Sequence, residues 1–157
     1  LGVIGKNGLL INPVYGSDVF IGEIITTLDI KPDTPLQKTC LECNMCIKRC
    51  PGGAIGENGV DVSLCLSDIT QKKGELTERE EEIISENGMI WGCDVCSDVC
   101  PMNKNAKIKP LAEFLQDISF EVDLNLSTKQ LKEKAFGFRG KKVLERNIEL
   151  LKRADKI

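Results

Sequence analysis

The chain has 157 residues and a formal net charge of −3, and 41% of its residues are hydrophobic but only 4% aromatic. Its eight cysteines suggest that bound metal supplements this modest core, while the absence of histidine excludes histidine-based catalysis and zinc fingers that mix cysteine with histidine. No segment approaches the ~18 apolar residues that span a bilayer, and no export leader is recognisable, so we expect a cytoplasmic protein without membrane contacts or disulfides.

The first 35 residues predict two strands and a connector. Residues 8–12 and 19–30 are rich in Ile, Val, Leu and Thr, with turn-forming residues between them. Their apolar residues run almost without interruption, so we expect both faces of these strands to be covered. The proline-rich stretch 31–35 predicts a domain boundary. Because the chain opens at Leu1 inside a glycine-rich stretch, we expect it to be a piece of a longer protein.

Turn and capping signals predict a hairpin and a helix in the middle of the chain. Asn58-Gly59 is a strong hairpin signal between two very short strands within residues 54–62. The capping-box pattern TERE at 77–80 opens a helix that runs to about residue 85 and is closed by the following Asn-Gly pair.

Two basic helices are predicted at the C-terminal end. Ser127 caps one over residues 128–135, and the other covers residues 141–154. The apolar face of the second helix is formed by Leu144, Ile148 and Leu151. Residues 127–157 carry ten Lys and Arg against four Asp and Glu, a net charge of +6. Such a basic tail indicates an anionic partner, although a solvated helix face is the simpler interpretation of charge alone.

The eight cysteines fall into two copies of one motif, fifty residues apart. The run Cys43, Cys46, Cys50 and Pro51 recurs as Cys93, Cys96, Cys100 and Pro101. Ile90 in the second copy replaces Cys40 of the first, and Cys65 remains outside both copies. A C-x2-C-x2-C-x3-C-P run is typical of bacterial two-cluster ferredoxins, in which the fourth cysteine ligates the other cluster.

This pattern predicts two [4Fe–4S] clusters, each held by four thiolates. The ligands of one, the first cysteine set, are Cys40, Cys43, Cys46 and Cys100. The second cysteine set is Cys50, Cys65, Cys93 and Cys96, with Cys65 in the place left vacant at Ile90. The alternative is a pair of four-cysteine zinc sites, but zinc usually takes two C-x2-C pairs per site. Two clusters without a catalytic side chain indicate electron transfer.

Segments along nearly all of the chain resemble the epoxyqueuosine reductase family, cobalamin-dependent enzymes that complete queuosine in tRNA. Besides the cysteines, the resembling stretches are LGVIGKNGLLI (1–11), GSDVFIGEIITTLDI (16–30), PGGAI (51–55), QKKGEL (71–76), WGCDVCSDVCPMNK (91–104) and FRGKKVLERN (138–147). The resemblance implies an α+β chain in three parts. These are the last strands of a corrinoid-binding α/β domain over 1–35, a two-[4Fe–4S] ferredoxin-like domain over 36–108, and short α-helices over 109–157.

The resemblance also implies a reaction. In this family the clusters pass electrons to cobalamin, and the epoxide of epoxyqueuosine is reduced to the alkene of queuosine in tRNA. An external flavodoxin- or ferredoxin-like donor would supply the electrons. The catalytic acid is expected upstream, so no catalytic residue is assigned in this chain and residues 1–157 alone are expected to be inactive. The oligomeric state stays open.

Candidate contacts with cofactor and nucleic acid follow from the same resemblance. The candidate cobalamin contacts are Leu10, Ile21, Lys73, Cys93 and Asp94, although apolar strand residues such as the first two more often form core. The candidate tRNA contacts are Lys72, Lys141, Lys142 and Arg146, for which a solvated surface is the simpler alternative. The glycines of residues 1–8 would let a flat macrocycle approach the backbone, or else form a plain turn.

Other classes of protein share parts of this pattern. A ferredoxin-type carrier or electron-transfer subunit needs only residues 36–104 and leaves the predicted strands and basic helices without a role. A reductive-dehalogenase-like corrinoid enzyme shares the corrinoid and the two clusters, but differs in substrate and usually carries an export signal. A tRNA-binding module would explain the basic helices but not two clusters.

Overall fold

The computed structural model describes residues 1–107, 112–116, 118–119 and 121–157. Within them, short helices and two separate antiparallel hairpins surround the cysteines. The strands are β1 (Val3–Ile4), β2 (Leu10–Ile11), β3 (Ile55–Gly56) and β4 (Gly59–Val60). The α-helices are α1 (Met45–Arg49), α2 (Leu66–Gln71), α3 (Glu78–Asn87), α4 (Val95–Asp98), α5 (Ala112–Leu115), α6 (Thr128–Lys132) and α7 (Lys141–Arg153). None of these helices is long and apolar enough to cross a membrane.

The N-terminal hairpin is a close pair of two-residue strands. β1 and β2 pair with Val3 opposite Ile11 and Ile4 opposite Leu10. They approach closely because Gly2 has no side chain, since a Cβ there would lie 2.5 Å from the carbonyl oxygen of Ile11. The strand predicted over residues 8–12 is therefore confirmed only at its centre. The hairpin itself explains Gly2, without a macrocycle.

Residues 19–30 form no strand, so the prediction of a strand there is wrong. The segment is irregular, and its apolar side chains are exposed, to 92% for Phe20 and 99% for Ile25. A strand needs a neighbour that satisfies its backbone N–H and C=O groups, and β2 pairs only with β1 among the described residues. The expected cover on both faces is also not found there.

The two copies of the cysteine motif fold alike. α1 contains Cys46 and α4 contains the equivalent Cys96, and the two short helices pack against each other. β3 and β4 follow the first copy, with Ile55 opposite Val60. The predicted hairpin is thus confirmed, but the two connecting residues are 57–58, one position earlier than the Asn-Gly pair.

The apolar core lies beside the second cysteine motif, where α2, α3 and α7 meet. Its buried residues are Leu66, Ile69, Ile83, Ile84, Leu150 and Leu151. The predicted capping box is confirmed at the start of α3, where Thr77 and Glu80 bond reciprocally. The helix ends at Asn87, and Gly88 continues the chain with a φ of 71°, a conformation that favours glycine.

The C-terminal helices follow their predicted starts but not all of their predicted faces. Ser127 caps α6 in a capping box, yet α6 ends at Lys132 instead of residue 135. The chain then folds back so tightly that a Cβ on Gly137 would collide with the carbonyl oxygen of Leu131. α7 buries Leu144 and Leu151 as predicted, while Ile148 is only half-buried. Asn147 takes the buried position next to it.

Gly52 offers a test of the packing behind the first motif. It is buried, and a Cβ there would collide with the carbonyl oxygen of Leu64. We expect Gly52→Ala to lower the free energy of unfolding by about 1–3 kcal/mol, as overpacking does. Thermal unfolding of the cluster-loaded protein measures this. Gly56→Ala is the control, because the added Cβ would lie 3.8 Å from the carbonyl oxygen of Gly59 and should change stability by less than about 0.5 kcal/mol. Equal melting temperatures for the two variants would contradict the packing.

Candidate metal centre

The first cysteine set lines one small cavity. Its four cysteines surround this space together with Met45, Pro101 and Met102. Burial raises the pKa of the Cys46 thiol; the backbone N–H groups of Ile47 and Cys46 offset part of this rise, and Cys40 and Cys43 add to it. Thiols from segments sixty residues apart in sequence therefore meet at one place, as the motif spacing requires.

The second cysteine set is also brought together. Burial raises the pKa of Cys93, and the neighbouring charges of Cys65 and Cys50 raise it further. Burial likewise raises the pKa of Cys96, again with contributions from the other three cysteines of the set. Cys65 immediately precedes α2 and lies outside both motifs in the sequence. In the structure it nevertheless lies close to the other three cysteines of the second set. In the absence of metal these sites favour protonated thiols, so metal binding must displace protons.

Backbone amides are directed at the sulfur atoms. The N–H of Ala54 donates a hydrogen bond to Sγ of Cys50 over 3.2 Å. Such bonds stabilise a thiolate and influence the potential of a cluster that the thiolate binds.

Four cysteines around one shared space match the ligand requirement of a [4Fe–4S] cluster, in which each of the four irons takes one thiolate. Zinc also takes four thiolates, but usually from two C-x2-C pairs per site. The interleaved motifs therefore favour iron–sulfur clusters over zinc.

The N-terminal hairpin supplies polar contacts to both motifs, and no sequence pattern predicted these contacts. Nζ of Lys6 donates 2.9 Å hydrogen bonds to Oδ1 of Asn44 and to the carboxylate of Glu57. The bond to Glu57 raises the pKa of Lys6. Nδ2 of Asn7 donates to the carbonyl of Cys96 over 3.4 Å. One tight turn therefore contacts the residue after Cys43 and a ligand of the second set.

A second polar network joins the N-terminal segment to the end of the second motif. The hydroxyls of Ser17 and the buried Ser97 are 2.7 Å apart. Nδ2 of Asn103 donates to Oγ of Ser17 over 2.6 Å and to the carbonyl of Ser97 over 2.9 Å. Gly16 admits this packing, because a Cβ there would lie 2.6 Å from Oδ1 of Asn103. The network holds the chain on both sides of Cys100.

The candidate cobalamin contacts lie on separate segments of the described chain. Leu10 is half-buried in β2, while Ile21 is 63% exposed. Lys73 and Asp94 are exposed, and Asp94 directly follows Cys93 at the start of α4. The cleft beside Cys40, which residues 1–6 and 33–36 help to line, includes none of these five residues. Their assignment to cobalamin stays a prediction.

The four candidate tRNA contacts differ in how strongly their side chains are already bonded to other residues of the chain. Lys72 forms an ion pair with Glu80 at 2.7 Å. Nη1 of Arg146 donates to the carbonyls of Lys72 and Gly74 over 2.9 and 2.7 Å, and burial lowers its pKa. The remaining two are exposed at the start of α7: Lys141 lies 3.7 Å from Glu145, and Lys142 points away from the core. Arg146 is therefore the least available of the four.

Cys65 gives the sharpest test of the two sets. We expect anaerobically prepared wild-type protein to hold about eight irons and Cys65→Ser protein about four, because the substitution removes a ligand only from the second set. Iron analysis and electron paramagnetic resonance of the reduced proteins measure this. Ser63→Ala, an exposed change two residues away, should match the wild type. Two unchanged cluster signals in Cys65→Ser protein would show that another group fills the place opposite Ile90.

Comparisons with known proteins agree with this geometry. Residues 39–103 match a family model described as a 4Fe-4S double cluster binding domain. The epoxyqueuosine reductase of Listeria monocytogenes is 38% identical, over 96% of this chain and 42% of that protein. The structure of epoxyqueuosine reductase from Streptococcus thermophilus matches with a TM-score of 0.77 and 34% identity, over 98% of this chain and 43% of that one. A crystal structure of epoxyqueuosine reductase with an epoxyqueuosine-modified tRNA-Tyr stem loop matches with a TM-score of 0.78 and 32% identity, over 96% of this chain and 42% of that one.

The chain spans about two fifths of the length of the curated relatives it matches. Over that span the similarity includes both the cysteine motifs and the segments on either side of them. The resemblance drawn from the sequence motifs is therefore confirmed: along almost its whole length, the chain is similar to about two fifths of an epoxyqueuosine reductase.

Proposed function

We propose that the protein containing this chain reduces epoxyqueuosine to queuosine in tRNA. The observation that carries the proposal is the match, along 96% of the chain, to the crystal structure holding the epoxyqueuosine-modified tRNA stem loop. The convergence of the cysteines into two four-thiol sets supports the electron-transfer half of this reaction.

The residues of the chain fit two [4Fe–4S] clusters. Each cysteine takes part in one set, and four soft thiolates match the four irons of a cluster. When bound, the clusters transfer single electrons, and cobalamin supplies the centre at which the epoxide is reduced. The thiolates hold the clusters, and the Ala54 amide tunes the environment of the second.

Leu10, Ile21, Lys73, Cys93 and Asp94 are the proposed cobalamin contacts. Exposed Asp94 lies directly beside Cys93, so a large group bound there would lie next to a ligand of the second cluster. Electrons would enter from an external flavodoxin- or ferredoxin-like donor. The domain limits 1–35, 36–108 and 109–157 and a cytoplasmic location belong to the same proposal.

Activity is tested with the full-length protein. Anaerobic incubation with cobalamin, a chemical reductant and tRNA carrying epoxyqueuosine should yield queuosine, detected by mass spectrometry of the tRNA nucleosides. Cys93→Ser protein should lose the activity, because it lacks a ligand of the second set, whereas residues 1–157 alone should give no product. If protein with both clusters and cobalamin left epoxyqueuosine unchanged, the proposed reaction would be wrong.

The start of α7 is the proposed tRNA contact. Neutralising Lys141 and Lys142 with glutamine should weaken tRNA binding and flatten its salt dependence by up to about two phosphate contacts. Titrations of tRNA at two salt concentrations measure both effects. Arg146 is left intact, because its hydrogen bonds hold the 72–74 turn.

A matched control separates contact from net charge. The control variant changes Lys152 and Arg153, which are exposed at the other end of α7, to glutamine. It loses the same two positive charges as the Lys141 and Lys142 variant. Equal weakening by the two double variants would indicate a general charge effect and remove Lys141 and Lys142 from the proposed interface.

A further inference from the structure

Each of the three residues before Cys93 contacts a residue that is distant in the sequence. The carbonyl of Ile90 accepts a 2.9 Å hydrogen bond from Nδ2 of Asn147 in α7. The Trp91 ring packs edge-on against Phe138, with 5.5 Å between ring centroids. The N–H of Gly92 donates to the hydroxyl of Thr70 over 3.0 Å. These contacts fix the positions of residues 90–92, and therefore the position of Cys93, which follows them.

Asn147 also holds the helix that follows Cys65. Its Nδ2 donates a second hydrogen bond, over 2.8 Å, to the carbonyl of Thr70 in α2. Cys65 caps the start of α2, and the short helix is buried at Leu66, Ile69 and Thr70, so its position determines where Cys65 lies. One side chain is therefore bonded to the elements that carry two ligands of the second set.

The polar atoms of Asn147 are fully used although the residue is completely buried. Oδ1 accepts from Nε and Nη2 of Arg146 over 3.1 and 2.9 Å, and Nδ2 makes the two bonds to carbonyls. Arg146 in turn bonds the carbonyls of residues 72 and 74, at the other end of α2. A satisfied buried network of this kind specifies one arrangement, because any shift leaves buried polar groups without partners.

We propose that Asn147 is a positioning residue for the second cluster, fixing Cys65 relative to Cys93. It touches neither thiol, and acts through Thr70 and Ile90. Residues behind metal ligands commonly change metal retention by about 10–100-fold when substituted. Within the described part of the chain, the side-chain hydrogen bonds of Asn147 reach residues 70, 90 and 146, and none reaches the first cysteine set. The effect of removing Asn147 should therefore fall on one cluster. This inference rests on the proposed assignment of the two sets.

The test compares Asn147→Leu with Leu144→Ala in the full-length, cluster-loaded protein. Both changes disturb buried positions of α7, but only the first leaves the carbonyls of Thr70 and Ile90 without a donor. We expect Asn147→Leu protein to release half of its iron to a chelator at least about tenfold faster than wild type. The cluster signal that is missing from Cys65→Ser protein should be the one that fades. Leu144→Ala protein, compared at the same interval below its melting temperature, should show no preference between clusters.

Asn147→Asp provides a second variant if Asn147→Leu protein does not fold. It keeps the size of the side chain and the acceptor for Arg146, but a carboxylate has no donor for the carbonyls of Thr70 and Ile90, so it should give the same selective loss. Equal loss of both clusters, or of neither, in the folded variants would overturn the role of Asn147. A wild-type protein that holds about four irons, or zinc, would instead refute the two-cluster assignment.

Discussion

The structure depends on the exchange of one cysteine between the two motifs. Cys100 lies with the three cysteines of the first motif, and Cys50 with Cys93 and Cys96 of the second. Neither set is complete unless both motifs are folded and packed through α1 and α4. Burial raises the pKa of the Cys46, Cys93 and Cys96 thiols, so cluster binding must displace their protons. Binding and folding are therefore coupled in a chain whose apolar core is small.

The two ends of the chain contact different parts of this arrangement. Lys6 and Asn7 bond to Asn44 and to the carbonyl of Cys96 from the N-terminal side. Asn147 bonds to α2 and to the residues before Cys93 from the C-terminal side. These contacts cross the boundaries predicted near residues 35 and 108. Composition locates such boundaries from linker residues, but it carries no information about hydrogen bonds between the parts.

The predictions that succeeded concern features formed by residues close together along the chain. The capping box at Thr77 and the short hairpin need only a few neighbouring residues, and the cysteine spacing led to the family. The strand at 19–30 failed because a strand depends on a partner elsewhere. Arg146 appeared to be a surface charge, because the carbonyls that it bonds lie more than seventy positions earlier. Asn147 left a usable signal, a polar residue three positions after Leu144 on an otherwise apolar face, which indicates a buried hydrogen bond.

The absence of a first cysteine in the second motif has a physical explanation in this packing. Ile90 stands where the first motif has Cys40, and its side chain packs against the core formed by α2, α3 and α7. An apolar side chain suits that side of the motif, and its backbone carbonyl receives Asn147. Cys40 lies instead on an irregular segment beside a cleft that residues 1–6 and 33–36 help to line. Cys65, the residue that precedes the core helix α2, lies with the second set instead. The same helix that buries Leu66 and Ile69 thus carries a ligand at its start, which joins the formation of the core to the completion of the second set.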